Sequence, residues 1–268
     1  MDKSGMLEIS PVITASRLDI GYSKETIVGG IEFSLRAGQS LALVGVNGSG
    51  KTTLLKTLVG LLPTLAGNLD VLGTLPGKSP ARIAYLSQFH ASSFILPMRA
   101  IDVVRMGRFA NHGLLGRMDS EDEAIVIQSM QRMGIANLAK MPLRSLSGGQ
   151  QQRVYITQSL ARRADVLILD EPTSGLDASG KEIYQQVIVE ELSRGAAAVV
   201  ATHDIQEAMN SSCAMLLARK VIAYGKGAEI ITPQSLLETF GIVITTQANQ
   251  TGIMVVEREH EHNGARKY

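Results

Sequence analysis

Glycines at positions 45, 48 and 50 precede a Lys-Thr pair in the run Gly45-Val46-Asn47-Gly48-Ser49-Gly50-Lys51-Thr52. At this spacing the backbone N–H groups can wrap a chain of phosphates, because few side chains crowd them. Lys51 then neutralises the β- and γ-phosphates and the Thr52 hydroxyl ligates Mg²⁺, so the segment predicts a nucleoside triphosphate ligand. Its candidate binding residues are Gly45, Asn47, Gly48, Ser49, Gly50, Lys51, Thr52 and Thr53. A pair of carboxylates, Asp170-Glu171, comes directly after the apolar run Val166-Leu167-Ile168-Leu169. Neighbouring side chains point in different directions and can divide the labour. Asp170 is placed to hold Mg²⁺ through its water shell and Glu171 to act as general base on the attacking water. His203, after another apolar run, can bond the γ-phosphate and orient that water. The Gln88 amide can contact both water and Mg²⁺.

A second anion cradle is spelled by Leu146-Ser147-Gly148-Gly149-Gln150. Ser147 can cap a helix whose first N–H groups, left uncrowded by the two glycines, attract a phosphate. One phosphate loop already exists in the chain. A second cradle makes sense if it closes over nucleotide held by another copy, which predicts a head-to-tail homodimer with two shared sites.

These groups need elements that bring them to one place. Ser40–Val44 reads as a buried strand, and the residues from Thr53 to Val59 as a helix stopped before Pro63. Strand, glycine turn and helix N-terminus concentrate partial positive charge on an anion. Val166–Leu169 and Ala197–Ala201 are apolar without alternation, as central parallel strands covered on both faces should be. Parallel neighbours would place Glu171, His203 and the phosphate loop at one edge of the sheet. Residues 12 to 35 alternate, with Ile31, Phe33 and Leu35 on one face, and predict antiparallel strands. Arg82–Leu86 reads as a further strand. From about 98 to 163 the period becomes helical: Ser120 with Glu123 makes a capping box, Ala124, Ile127 and Met130 share a face, and Gly134 can end the helix. This predicts an inserted helical lobe. Met215–Leu217 and Val221–Tyr224 flank Arg219-Lys220 as a hairpin, and Thr232-Pro233 begins a short helix.

The composition sets bounds. A chain of 268 residues, 45% apolar, can bury one full α/β core. A net charge of +1 gives no long-range pull toward nucleic acid, and none is expected as partner. The single cysteine, Cys213, suits a reducing compartment. Residues 1 to 8 lack an apolar signal core and no apolar run approaches a bilayer span, so a cytoplasmic location is expected.

Together these motifs resemble those of the ATP-binding cassette (ABC) ATPases, over roughly residues 12 to 241. In that family's terms Walker A runs from Gly45 to Thr52, the Q-loop carries Gln88, the signature spans Leu146 to Gln150, Walker B ends at Asp170-Glu171, the D-loop is Ser174-Gly175-Leu176-Asp177 and the switch is His203. The resemblance implies an α/β P-loop cassette over residues 10–241, with an antiparallel β subdomain and the helical lobe. Residues 242–268 would be a short, partly disordered extension. It further implies ATP and Mg²⁺ as ligands, Thr52, Gln88 and Asp170 toward the metal, and Asp177 at the nucleotide interface. Tyr22 would stack on adenine, although by composition it could equally be a strand-end core aromatic. Cassettes of this size homodimerise and drive a separate transmembrane permease from the inner face of the membrane, with an extracytoplasmic solute-binding protein in importers.

The segments Met106–Phe109 through Leu114–Arg117, the repeated glutamines after Gly149, Ala218–Gly225 and Leu237–Gly241 resemble cassettes of manganese, zinc and iron importers. Ala214 and Ala218 stand where those proteins usually carry Asp and often carry Asn. An importer of iron chelates, haem or another small solute is the alternative, and a soluble non-transport ABC protein a more remote one. The apolar run Phe94–Met98, with Met106, is expected either to line a groove for a permease helix or to fill the junction between core and lobe. His260 and His262 read as a solvated tail end.

Overall fold

The computed structural model describes residues 10–88, 98–109, 112 and 117–241. Strands β1 (Ile13–Tyr22) and β2 (Glu25–Leu35) form an antiparallel hairpin in which Ile31, Phe33 and Leu35 are buried, as the alternation predicts. Strand β3 (Ser40–Val44) leads through the glycine loop into α1 (Lys51–Leu58). The helix begins two residues before the start read from sequence. Next comes β4 (Ala66–Val71), which pairs with β1 and completes a three-stranded sheet ordered β2-β1-β4. The sequence reading missed β4.

Strand β5 (Ile83–Leu86) returns the chain to the main sheet before three helices: α2 (Ala100–Phe109), α3 (Ser120–Arg132) and α4 (Gly148–Ala161). The capping box expected at Ser120 and Glu123 lies one residue earlier. Asp119 is the N-cap and accepts the Asp122 N–H at 2.9 Å, while Asp122 accepts the Asp119 N–H at 3.0 Å. The buried face is correspondingly Asp122, Ile125, Val126, Ser129 and Met130, and both Ala124 and Ile127 are exposed. Burial of the Ile125-Val126 pair, together with an ion pair from Asp122 to Arg108 at 2.8 Å, sets the rotation of this helix. Gly134 comes just after its C-cap, as expected.

Strand and helix then alternate as far as β8, and a hairpin strand and two short helices follow: β6 (Val166–Asp170), α5 (Ala178–Ser193), β7 (Ala197–Thr202), α6 (Ile205–Asn210), β8 (Cys213–Leu217), β9 (Val221–Gly225), α7 (Gly227–Ile230) and α8 (Pro233–Phe240). The main sheet has the order β5-β6-β7-β3-β8-β9, parallel except for the final hairpin. Strands β3, β6 and β7 are buried at every residue, so their uninterrupted apolar runs reflect two covered faces. On one face Leu41, Leu43, Ile168 and Val199 pack with Leu54, Leu55 and Leu58 of α1 and with the small sheet. On the other, Leu167, Leu169 and Val200 join a core with α2 to α5, and Ala42 and Val44 join one with α6. Among the described residues no helix is long and apolar enough to cross a membrane.

Phe94–Pro97, Leu114–Gly116, His260, His262 and the extension at 242–268 lie outside the described residues. Met98 packs against the core of the helical region, whereas Met106 is 42% exposed.

Candidate functional site

Parallel pairing puts the chemistry at one edge. Val44 pairs with Thr202, and Asp170 with Ala201, so Gly45, Glu171 and His203 leave the sheet side by side at its carboxyl end. Leu86 pairs with Leu169, which brings Gln88 to the same edge.

Gly45 opens the loop because nothing larger fits: a Cβ there would lie 2.2 Å from the Leu217 carbonyl oxygen and 2.6 Å from Ser49 Oγ. Gly48 and Gly50 are left-handed, at φ 77° and 111°, and Gly48 faces open space. Asn47 is exposed. Ser49 is buried, with its hydroxyl turned inward and its N–H donating to the Val46 carbonyl at 3.2 Å; Thr53 is buried as well. Lys51, also buried, donates to the carbonyls of Gly45 at 2.6 Å and Val46 at 3.2 Å. Desolvation lowers the pKa of this ammonium, opposed by the charges of Glu171 and Asp170.

The Thr52 hydroxyl donates to Asp170 Oδ2 at 2.8 Å. Burial raises the Asp170 pKa from its ordinary value and the charge of Glu171 adds to this, while the Thr52 bond and Lys51 pull the other way. Glu171 has a left-handed backbone, φ 49°, stabilised by its N–H bonding the Ala201 carbonyl at 2.9 Å and its carbonyl accepting the Ser174 N–H at 3.1 Å. A non-glycine residue held there stores about 1–3 kcal/mol of strain, and such strain concentrates at functional sites. Its carboxylate faces His203 Nε2 at 2.5 Å through Oε1 and accepts the Gln88 amide at 3.0 Å through Oε2. Gln88, Glu171 and His203, read separately from sequence, form one cluster.

The second cradle starts α4. Ser147 Oγ accepts the Gln150 N–H at 3.3 Å, and the Gln150 carboxamide accepts the Ser147 N–H at 2.9 Å, so the Gln150 side chain serves the cap. Gly148 faces open space, but a Cβ at Gly149 would sit 2.7 Å from the Gly175 carbonyl oxygen, pressing this helix start against the loop after Glu171. Asp177 caps α5 through the Gly180 N–H at 3.0 Å and pairs with Arg153 of α4 at 2.6 Å, and the Arg153 bond chiefly lowers its pKa. Ser147, Gly149 and Gln150 line a cleft with Gly175 and Asp177; Glu171 and His203 line another with Ser174 and Leu176. Tyr22 ends β1, half exposed at 44%, beside a tight turn with left-handed Ser23 and Lys24.

Several residues here escaped the sequence reading. Gln152, buried on α4, donates to the Pro172 carbonyl at 2.8 Å and so ties the signature helix to the turn at Glu171. Its spacing from Ile156 and Ser159, i+4 and i+7 on one helix face, was the available signal. The Tyr85 phenol, in β5, has its pKa pushed up to about 12 by burial, with the charge of Asp170 adding to it.

Residues 28–174 match the sequence profile of the ABC transporter family. The chain belongs to that family. Among curated relatives, this ABC cassette is 31% identical over 230 residues to the manganese transport system ATP-binding protein MntB of Bacillus subtilis, covering 85% of this chain and 92% of that one. It is 31% identical over 240 residues to the zinc transport system ATP-binding protein TroB of Treponema pallidum, covering 88% and 90%. Among solved structures, it matches a chain of an inward-facing ABC transporter assigned to the metal-chelate type with a TM-score of 0.78 at 26% identity, covering 92% of this chain and 98% of that one. Clostridium perfringens cbiO1, part of the ABC transporter complex cbiONQ, gives a TM-score of 0.71 at 26% identity over 85% and 94%. The small sheet, main sheet and helical region are those of an ABC ATPase cassette.

Proposed function

We propose that this cassette binds Mg-ATP and hydrolyses it as the peripheral subunit of an importer for a divalent transition metal: manganese, zinc or iron. The observation that carries the reading is Glu171, held between Gln88 and His203 beside the Thr52–Asp170 pair.

The donor set fits a magnesium ion. A hydroxyl and a carboxylate lie one hydrogen bond apart, and burial presses Asp170 toward its protonated form, a pressure that a dication relieves. When bound, the ion neutralises charge on the phosphate oxygens. Lys51 holds the phosphates, and the loop N–H groups from Gly48 to Thr52 orient them. Glu171 takes the proton of the attacking water, while His203 and Gln88 orient the carboxylate and the water. Tyr22 presents its exposed ring to the base. The cradle at Ser147 and Gly148, open on its outer side, serves the nucleotide of a second copy in a head-to-tail homodimer, and Asp177 lies at that seam.

The cargo rests on kinship with the manganese and zinc systems. A permease in the membrane and an extracytoplasmic solute-binding protein complete the machine, with the cassette on the cytoplasmic face. Uptake of labelled manganese, zinc and iron by cells with and without the chain tests this directly. Loss of uptake of one metal supports the reading, and unchanged uptake of all three opposes it. A metal-chelate importer is the second reading, favoured by the match over 92% of the chain, and loss of chelate uptake alone would select it.

A further inference from the structure

We infer that Glu207 is a positioning residue for His203, acting through the Thr202 hydroxyl. Thr202 closes β7, His203 comes next, Asp204 caps α6, and Glu207 lies within the first turn of that helix. The Thr202 hydroxyl donates to Glu207 Oε2 at 2.6 Å and accepts the Asp204 N–H at 3.0 Å. The Glu207 N–H in turn donates to Asp204 Oδ1 at 3.2 Å, which also accepts the Gln206 N–H at 2.9 Å. Thr202, Asp204 and Glu207 thus close a ring of hydrogen bonds around the peptide that carries His203.

Glu207 decides how that ring is oriented. A threonine hydroxyl can rotate freely, and a carboxylate that accepts its hydrogen bond turns its lone pairs toward the Asp204 N–H. Thr202 is buried, so without Glu207 its hydroxyl proton would find no ready substitute in water. The place is an unfavourable one for a charged carboxyl: burial raises its pKa and the charge of Asp204 adds to this, against the bond from Thr202 and the charge of Lys181. Tyr184, fully buried on α5, lines a cleft together with Glu207. The turn must be placed closely because the imidazole meets Glu171 at 2.5 Å, and a displacement of about 1 Å in a catalytic group can slow a reaction about a hundredfold.

The inference rests on the reading of His203 as part of the hydrolytic site. It is tested with the purified full chain by steady-state Mg-ATP hydrolysis and thermal unfolding of Glu207→Ala, Glu207→Gln, Thr202→Val, His203→Ala and the double variant H203A/E207A. Glu207→Ala and Thr202→Val should each lower kcat by about tenfold or more, with KM for ATP changed far less. Glu207→Gln should recover most of that loss, because the amide oxygen also accepts the Thr202 hydroxyl. The double variant should be no slower than His203→Ala, since a residue that acts through His203 has nothing left to position. Wild-type kcat in Glu207→Ala, or losses that multiply in the double variant, would overturn the inference. Should Glu207→Ala fail to fold, a Thr202→Val protein of normal melting temperature and normal kcat would overturn it equally. If His203→Ala itself retains kcat, the reading of His203 falls and the inference with it; a slow His203→Ala beside a fast Glu207→Ala removes the inference alone.

Discussion

Replacing Lys51 by Ala should weaken ATP binding by an amount that the loop geometry bounds. The ammonium is buried and aimed into its own loop, where it bonds two carbonyls, and its charge stands against both Asp170 and Glu171. Toward a phosphate it supplies a charge-assisted hydrogen bond worth about 1.5–3 kcal/mol. At about 1.4 kcal/mol per decade, the ATP dissociation constant should rise roughly tenfold to 150-fold. In the free protein the effects oppose one another. The variant loses the two carbonyl bonds and the counter-charge, but it is also relieved of burying an ammonium. A net loss of about 1 kcal/mol lowers the melting temperature by roughly 2–4 °C in a chain of this size. Isothermal titration with ATP and Mg²⁺, paired with thermal unfolding of the free protein, measures both. A dissociation constant within about threefold of wild type, under 1 kcal/mol, in a protein that still unfolds cooperatively would refute the assignment of the glycine loop to phosphate.

Asp170→Asn should stabilise the free protein at neutral pH. Burial raises the folded-state pKa of this carboxyl, so the folded chain keeps the proton to higher pH than the unfolded chain does, and stability is lost as pH rises through that window. The variant should therefore melt higher than wild type at neutral pH and similarly near pH about 4, with the order reversed by Mg-ATP; a lower melting temperature at neutral pH without nucleotide would contradict this. Mixing Ser147→Arg with Lys51→Ala protein puts both lesions in one site of a heterodimer and neither in the other, so some activity should return; none, despite demonstrated heterodimers, would argue against sharing. Met106 and Phe109 expose apolar surface on α2, and Met106→Glu should release the cassette from its permease while leaving basal hydrolysis intact. Membrane association that survives the charge would place the docking surface elsewhere.

The phosphate loop, the Asp170-Glu171 pair and the signature cap could be read from sequence because each is local: the residues that make it are consecutive. Their convergence was also legible, since parallel strands with buried faces all deliver their C-terminal loops to one edge of the sheet. The face of α3 was not. Asp119 with Asp122 and Ser120 with Glu123 are overlapping boxes one residue apart, and only the tertiary burial of Ile125 and Val126 chooses between them, a rotation of about 100°. Strand β4 was hidden because it is an edge strand: of Ala66-Gly67-Asn68-Leu69-Asp70-Val71 only Leu69 and Val71 are buried, and Gly67 and Asn68 read as a turn. Long-range ties such as Gln152 to Pro172, or Arg132 of α3 to the buried Glu191 of α5 at 2.6 Å, join residues that no local pattern links.

The most direct measurement is the turnover of Glu171→Gln. The amide keeps the shape of the side chain and can still accept the Gln88 bond, but it cannot take a proton from water. Removing its charge also eases the repulsion that raises Asp170, so the fold should hold. With Mg-ATP, steady-state phosphate release should fall about 10²- to 10⁴-fold while ATP affinity is retained, and an ATP-bound dimer should accumulate on size-exclusion chromatography. Hydrolysis at the wild-type rate would contradict Glu171 as the base and, with it, the proposed site.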